Sequence, residues 1–207
     1  HAEHHSEGIW RAACLAVRQG VSDAGLSADQ VAAIGFDATC SLVARAADGS
    51  QLTVSTAGDD RFDTIVWLDH RAIAEAEELS ATDHHALQFS GGSLSPEMEM
   101  PKLMWLKRHL PRSWERACYL FDLADFMTWR ATGSTARSRC TLTAKWNYLA
   151  HETEGWRRDF LALAGLDDLL ERGGLPGGTV PVGKSVGKLT AEAAGALGLD
   201  TGCWVLA

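Results

Sequence analysis

Between Val31 and Val54 the chain reads VAAIGFDATCSLVARAADGSQLTV. Val31 to Phe36 is an apolar run of strand length and predicts a buried strand; Asp37 to Cys40 interrupts it, Ser41 to Ala46 resumes as a second strand, and Asp48-Gly49 is a hairpin signal. No all-helical fold accommodates such a stretch. Its flanks, however, are helical. In SEGIWRAACLAVRQGVSDAG, Ile9, Ala13, Val17 and Val21 share one face and Gly25 lies past the end. DTIVWLDHRA repeats the theme, with a strand through Ile65, Val66 and Trp67, a polar cluster, then the helix AIAEAEELS. Strands and helices alternate, so the fold class is α/β, a mixed sheet flanked by helices.

The remaining segments extend this pattern. SPEMEMPKLMWLKRHLP is a helix with Pro101 in its first turn and Leu103, Leu106 and Leu110 on one side. YLFDLADFMTWRATG is a short strand followed by a helix that ends near Gly133, and ARSRCTLTAKWNYL is a loop leading into a helix. GWRRDFLALAGLDDLLERGG reads as one helix; LTAEAAGALGL is another, with Thr190 as its N-cap, and GCWVLA begins a strand.

A chain of 207 residues buries a sizeable core. Its net charge of −8 disfavours nucleic acid and anionic membranes as partners. Most of the eight tryptophans are expected in the core. The five cysteines are scattered without a C-x-x-C, which fits a reduced, cytoplasmic setting rather than a disulfide framework or zinc knuckle. The chain contains no apolar run of membrane-spanning length. HAEHHSE reads as a frayed start, and a metal site built from His1, His4 and His5 is disfavoured by the disorder usual at termini.

GTVPVGKS, Gly178 to Ser185, matches the phosphate-cradling pattern G-x-x-x-x-G-K-S/T. A working cradle lies between a buried strand and a helix that starts at the Gly-Lys. Here LLERGGLPG precedes the match, Pro181 removes an amide N–H from inside it, and the next helix waits until Thr190. The match is read as a Gly/Pro-rich loop and a short strand.

IGFDATCS (from Ile34), WLDHRA (from Trp67) and PKLMWLKRH (from Pro101), in this order and spacing, resemble the FGGY family of carbohydrate kinases. FDLADFMTWRATG and RSRCTLTAKWNYL resemble that family's next two blocks, and the wording is nearest the pentulose (ribulokinase-like) branch. The resemblance runs from about Ser6 to the end. One departure is that Glu97 and Glu99 stand where many relatives carry small residues.

The resemblance implies two ribonuclease-H-like (actin-like ATPase) domains with sugar and ATP, with Mg²⁺, in the cleft between them. It implies that this chain is most of the N-terminal, sugar-binding domain, truncated at both ends. The D-x-G-T phosphate loop is expected before His1, and the general base beyond Ala207, so no catalytic residue is assigned here. A small-molecule sugar, a five-carbon ketose or polyol such as ribulose, is the implied ligand, and a homodimer is left open. The alternative is a non-catalytic sugar-sensing or assembly protein, because fold alone does not fix function.

Residue by residue, the resemblance places the loop of Ala38, Thr39 and Cys40 against the sugar; otherwise Asp37 and Thr39 tie down a turn. Asp69 is read as bonding sugar hydroxyls, with Arg71 clamping it; otherwise the two form a salt-bridged helix start. Lys145, set between apolar residues in TAKWNY, is read as a sugar contact; otherwise it snorkels beside Trp146. Glu97 faces the same pocket or caps the helix near Pro101. Lys102 and Trp105 are read as helix packing, and His84 and His85 as surface.

Overall fold

The computed structural model describes residues 1–175 and 178–207. In chain order the elements are β1 (Glu3–His4), α1 (Ser6–Asp23), β2 (Ala33–Gly35), β3 (Leu42–Ala46), β4 (Thr64–Ile65), α2 (Ile73–Ser80), α3 (Glu99–His109), α4 (Pro111–Arg116), β5 (Ala117–Asp122), α5 (Leu123–Thr132), α6 (Arg139–Lys145), α7 (Arg158–Leu163), α8 (Leu169–Arg172), β6 (Ser185–Lys188), α9 (Ala191–Leu197) and β7 (Trp204–Leu206).

The strands form two sheets. In the first, with order β1-β4-β3-β5, every pairing is antiparallel. In the second, with order β2-β7-β6, β7 runs parallel to β2 and antiparallel to β6. The mixed pairing expected from the sequence therefore resides in the second sheet.

All five residues of β3 are buried, because this strand has a core on each face. Side chains alternate across a strand. Leu42 and Ala44 enter one hydrophobic cluster with α3, α4 and the α6–α8 region, whereas Val43 enters another with α1, α5 and α9. On the neighbouring β5, Leu120 and Phe121 divide between the clusters in the same way. The turn after β3 is the expected hairpin. Gly49 takes a φ of 80°, the Ser50 N–H donates to Asp48 Oδ1 at 2.9 Å, and Ala46 N–H reaches Ser50 O at 2.9 Å.

Arg45 lies on the Val43 side of β3 and is buried. Its guanidinium stacks 4.7 Å from the Phe126 ring centroid, lies 3.1 Å from Asp63 and 3.0 Å from Glu7, and donates to Ser6 Oγ. Asp63 also accepts from the Ser6 N–H at 2.9 Å and its hydroxyl at 2.5 Å. One carboxylate thus holds the start of α1 against the central strand.

Five tryptophans, Trp10, Trp105, Trp114, Trp146 and Trp156, are buried, whereas Trp67 and Trp204 remain exposed. Several sequence expectations require correction. Val31 to Phe36 is not a buried strand: β2 is an edge strand, with Ala33 and Gly35 exposed. The helix expected through GWRRDFLALAGLDDLLERGG is two helices, broken where Gly165 adopts a φ of 65°. The frayed N-terminus is instead ordered, with β1 paired to β4 and the Ala2 N–H bonded to Asp69. His84 is largely covered. It stacks on Phe160 at 5.0 Å and faces Asp159 at 3.2 Å.

The match at Gly178 to Ser185 is not a phosphate cradle. Three of its amides are occupied, Val180 N–H by Arg137 O, Gly183 N–H by Ala207 O and Lys184 N–H by Pro181 O. Lys184 leads into strand β6 rather than a helix. In the loop before it, Pro176 and Gly177 lie outside the described residues.

Candidate functional site

The loop 37–41 runs from β2 in one sheet to β3 in the other, which places it where the two sheets meet. Two side-chain contacts fix its far end. Ser41 Oγ accepts the Trp67 N–H at 3.0 Å and lies 3.4 Å from Thr39 Oγ1. Beneath the loop, Leu42 pairs with Asp122 at the end of β5, so the chain enters the sheet beside a buried carboxylate.

A cavity of about 270 Å³ opens beside this loop. Phe36, Asp37, Ala38 and Cys40 form one wall; Ala124, Asp125 and Thr128 of α5 and Cys140, Thr141 and Ala144 of α6 form the other; Val182 and Ala207 close an end. Asp125 is structural, since both of its oxygens are engaged, by Ser138 N–H at 2.8 Å and Thr141 Oγ1 at 2.6 Å. Ser138 caps α6 through Cys140 N–H, so this wall is rigid.

Lys145 ends α6, one turn beyond Thr141. Its positive charge reaches both the Cys40 thiol and the Glu99 carboxyl. Lys145 follows the α6 residues that line the cavity across from Ala38 and Cys40. Asp69 is not part of this grouping. It is 1% exposed, and Arg71 contacts its carboxylate through the backbone N–H at 2.8 Å, Nε at 2.9 Å and Nη2 at 2.8 Å. Arg71 in turn bonds Glu3 at 2.9 Å and Val54 O at 2.7 Å and stacks over Trp105 at 4.7 Å. This is the salt-bridged arrangement, with Arg71 clamping Asp69 as expected. Burial pushes the Asp69 carboxyl up, but the hydrogen bonds from Arg71 and Ala2 outweigh it and leave it below the usual range. Glu97 faces outward, with Oε1 3.1 Å from His70 Nε2.

The sequence showed Glu99 only as a departure and Lys102 only as helix packing, and did not single out Asp122; together they form a group of buried charges under the loop. Glu99 and Lys102, both fully buried, lie 3.4 Å apart on α3, and Asp122 is fully buried at the start of α5. Burial pushes Glu99 up to about 7 against the attraction of Lys102 and Lys145. Burial, then the negative charges of Glu99 and Asp125, raise Asp122 well above the usual carboxylate range. Burial, then Asp122 and Glu99, push the Cys40 thiol up to about 12, so it is a hydrogen-bond donor and not a thiolate. The available signal was an i,i+3 charge pair inside a helix that has no polar face over Glu99 to Leu106.

These raised values have a consequence for stability. An acid whose folded-state pKa exceeds its unfolded value makes the folded protein the better proton binder, so stability falls as pH rises. For Glu99 the window runs from about 4.5 to about 7. Glu99→Gln is expected to gain Tm relative to the parent protein between about pH 5 and pH 8, by on the order of 5 °C. Melting curves of both proteins across that range check it, and a pH-independent difference contradicts it.

The comparisons with known proteins agree with this architecture. The model of the FGGY family of carbohydrate kinases, N-terminal domain, matches residues 1–207. The human FGGY carbohydrate kinase domain-containing protein is 42% identical over all of this chain and 38% of its own length. A D-ribulokinase of Saccharomyces cerevisiae is 40% identical over 79% of this chain and 24% of its own. The chain thus spans well under half the length of these curated relatives. Among solved structures, a gluconate kinase from Lactobacillus acidophilus superposes with a TM-score of 0.79 at 19% identity, over 99% of this chain and 39% of that one. The fold is that of the actin-like ATPases, and the chain belongs to the FGGY family of carbohydrate kinases, matching its N-terminal domain.

Proposed function

We propose that the intact protein transfers the γ-phosphoryl group of ATP to a hydroxyl of a five-carbon ketose or polyol, ribulose foremost, and that this chain supplies the sugar-binding part. The observation that carries the reading is the cavity between the loop residues Asp37, Ala38 and Cys40 and helix α6, with Lys145 next in sequence to the lining residue Ala144. A polyol is held by directed hydrogen bonds from such groups in a small, largely preformed cleft. The resemblance to a D-ribulokinase supports the choice of sugar.

Phosphoryl transfer requires little covalent chemistry; the enzyme places a hydroxyl in line, excludes water and neutralises charge. Backbone groups of Ala38 and Thr39 orient the sugar, Lys145 donates to one of its oxygens, and Cys40 closes the inner wall. The Asp69–Arg71 clamp and Glu97 with His70 support the loop after β4 from outside the cavity.

ATP and Mg²⁺ do not fit the residues described here. Three amides of the Gly178–Ser185 loop, those of Val180, Gly183 and Lys184, are spent on backbone carbonyls, and among the described residues no three His, Cys, Asp or Glu side chains are grouped to hold a metal ion. The family resemblance is what assigns the phosphate cradle, metal position and general base to other parts of the intact protein.

The test is ATP turnover by the intact protein with pentuloses, pentitols, glycerol and gluconate. A pentulose or pentitol is expected to exceed the others in kcat/KM by about 100-fold, the scale of a few directed hydrogen bonds. Lys184→Ala is expected to leave turnover unchanged. Absence of sugar-dependent turnover overturns the proposal.

A further inference from the structure

Three buried polar atoms beneath the 37–41 loop have no hydrogen-bond partner among the described residues: Glu99 Oε2, Asp122 Oδ2 and Trp146 Nε1. The other oxygen of each acid is engaged, Glu99 Oε1 by Lys102 at 3.4 Å and Asp122 Oδ1 by Ala124 N–H at 3.3 Å. The atoms belong to one cluster. The negative charge of Glu99 raises Asp122, and the Trp146 indole lies close enough to lower it without reaching hydrogen-bond geometry. Leaving such buried atoms unsatisfied destabilises the fold. A fold that keeps two acids and an indole together here meets that cost in some state with a partner.

The chemistry of the nest restricts that partner. The carboxyls, raised by burial toward the protonated form, both accept and donate, and the indole N–H wants an acceptor. A cation is opposed by the indole N–H and by Lys102, and an anion by the two acids. A hydroxyl is neutral, small, and both donates and accepts. The nest is also next to the cavity. Cys40 lines the cavity, and the buried Asp122 beside it helps push its thiol up, so one small side chain lies between the cavity and the nest. The other charged groups facing the nest are Lys145 from α6 and Asp125 from α5, the latter already satisfied.

We propose that this nest is a hydroxyl-reading subsite at the inner end of the cavity, with Glu99 as a specificity-determining residue. The proposal rests on the carbohydrate-kinase reading. One sugar hydroxyl displaces the Cys40 thiol, donates to the unpartnered oxygen of Glu99 or Asp122, and accepts from the Trp146 N–H. A sugar lacking that hydroxyl leaves the nest unsatisfied and is rejected.

The test is calorimetric binding, without ATP, of the preferred pentulose or pentitol and its series of single-deoxy analogues to the intact protein. Glu99→Gln keeps the size of the side chain but alters the pattern of donors and acceptors. It is expected to weaken the parent sugar about 10-fold and to leave one deoxy analogue bound equally by both proteins. An equal loss for every analogue overturns the subsite while sparing the sugar site. A wild-type protein that binds none of these sugars overturns the underlying reading and the subsite with it. If Glu99→Gln does not fold, Cys40→Ala decides with the same series. Removing the thiol is expected to change affinity for the parent sugar but not for that one analogue, and a uniform change again overturns the subsite.

Discussion

Replacing Lys145 by alanine in the intact protein is expected to raise the KM for sugar, or lower kcat/KM, by ~10- to 100-fold while leaving the KM for ATP unchanged. The change corresponds to about 1.4–2.7 kcal/mol, the range for losing a charged hydrogen bond. The expectation follows from placement. Lys145 ends α6, whose preceding turn lines the cavity through Thr141 and Ala144. Its charge reaches Cys40 on the opposite wall and Glu99 below. A lysine that only shielded the Trp146 ring would lose some stability on truncation and leave both KM values where they were. Steady-state kinetics with each substrate varied in turn separate the two roles, and an unaltered sugar KM removes Lys145 from the site.

Asp63→Ala is expected to destabilise the protein by about 3–5 kcal/mol, the range for removing one partner of a buried ion pair. Asp63 is fully buried and receives both the N–H and the hydroxyl of Ser6, besides lying 3.1 Å from the Arg45 guanidinium. Without it Arg45 retains Glu7, which is partly solvent-exposed, as its ion-pair partner, and the first turn of α1 loses its anchor. Asp63→Asn keeps the shape and loses the charge, so its cost falls between alanine and the parent. Denaturant unfolding of the three proteins is the measurement. A loss below about 1 kcal/mol for alanine would show that water or Glu7 compensates the buried guanidinium.

The elements set by local signals were legible in the sequence. The Asp48-Gly49 turn, the β5–α5 junction, the Thr190 cap and the failure of Gly178 to Ser185 as a cradle each depend on residues within a few positions of one another. Misreadings arose where distant chain decides. Val31 to Phe36 is apolar enough for a buried strand, yet β2 pairs on one side only, with β7 from the far end of the sequence. Gly165 inside a helical period is tolerated in many helices, and only packing shows that it breaks this one. Asp69 looked available because its strongest partners are Arg71, already suspected, and the Ala2 amide, 67 positions away.

The site was half legible. The 37–41 loop and Lys145 were singled out from their motifs; Asp37, Ala38 and Cys40 line the cavity, and Lys145 follows its lining residue Ala144 on α6. Glu99 was noted only as a departure, Lys102 only as helix packing, and Asp122 was not singled out, because a sequence shows the type of a side chain but not its loss of water. Their importance comes from burial, which pushes Glu99 to about 7 and leaves three polar atoms unpartnered. Glu97, two residues earlier on the same segment, points outward to His70 instead.

The account stands or falls on where the sugar binds. The most direct test is the crystal structure of the intact protein with its preferred pentulose or pentitol bound. The predicted result is sugar in the cavity between the 37–41 loop and α6, with one oxygen within hydrogen-bond distance of Lys145 Nζ and others against the backbone of Ala38 to Cys40. Sugar bound against Glu97 and His70, or anywhere from which Lys145 is out of reach, would contradict it.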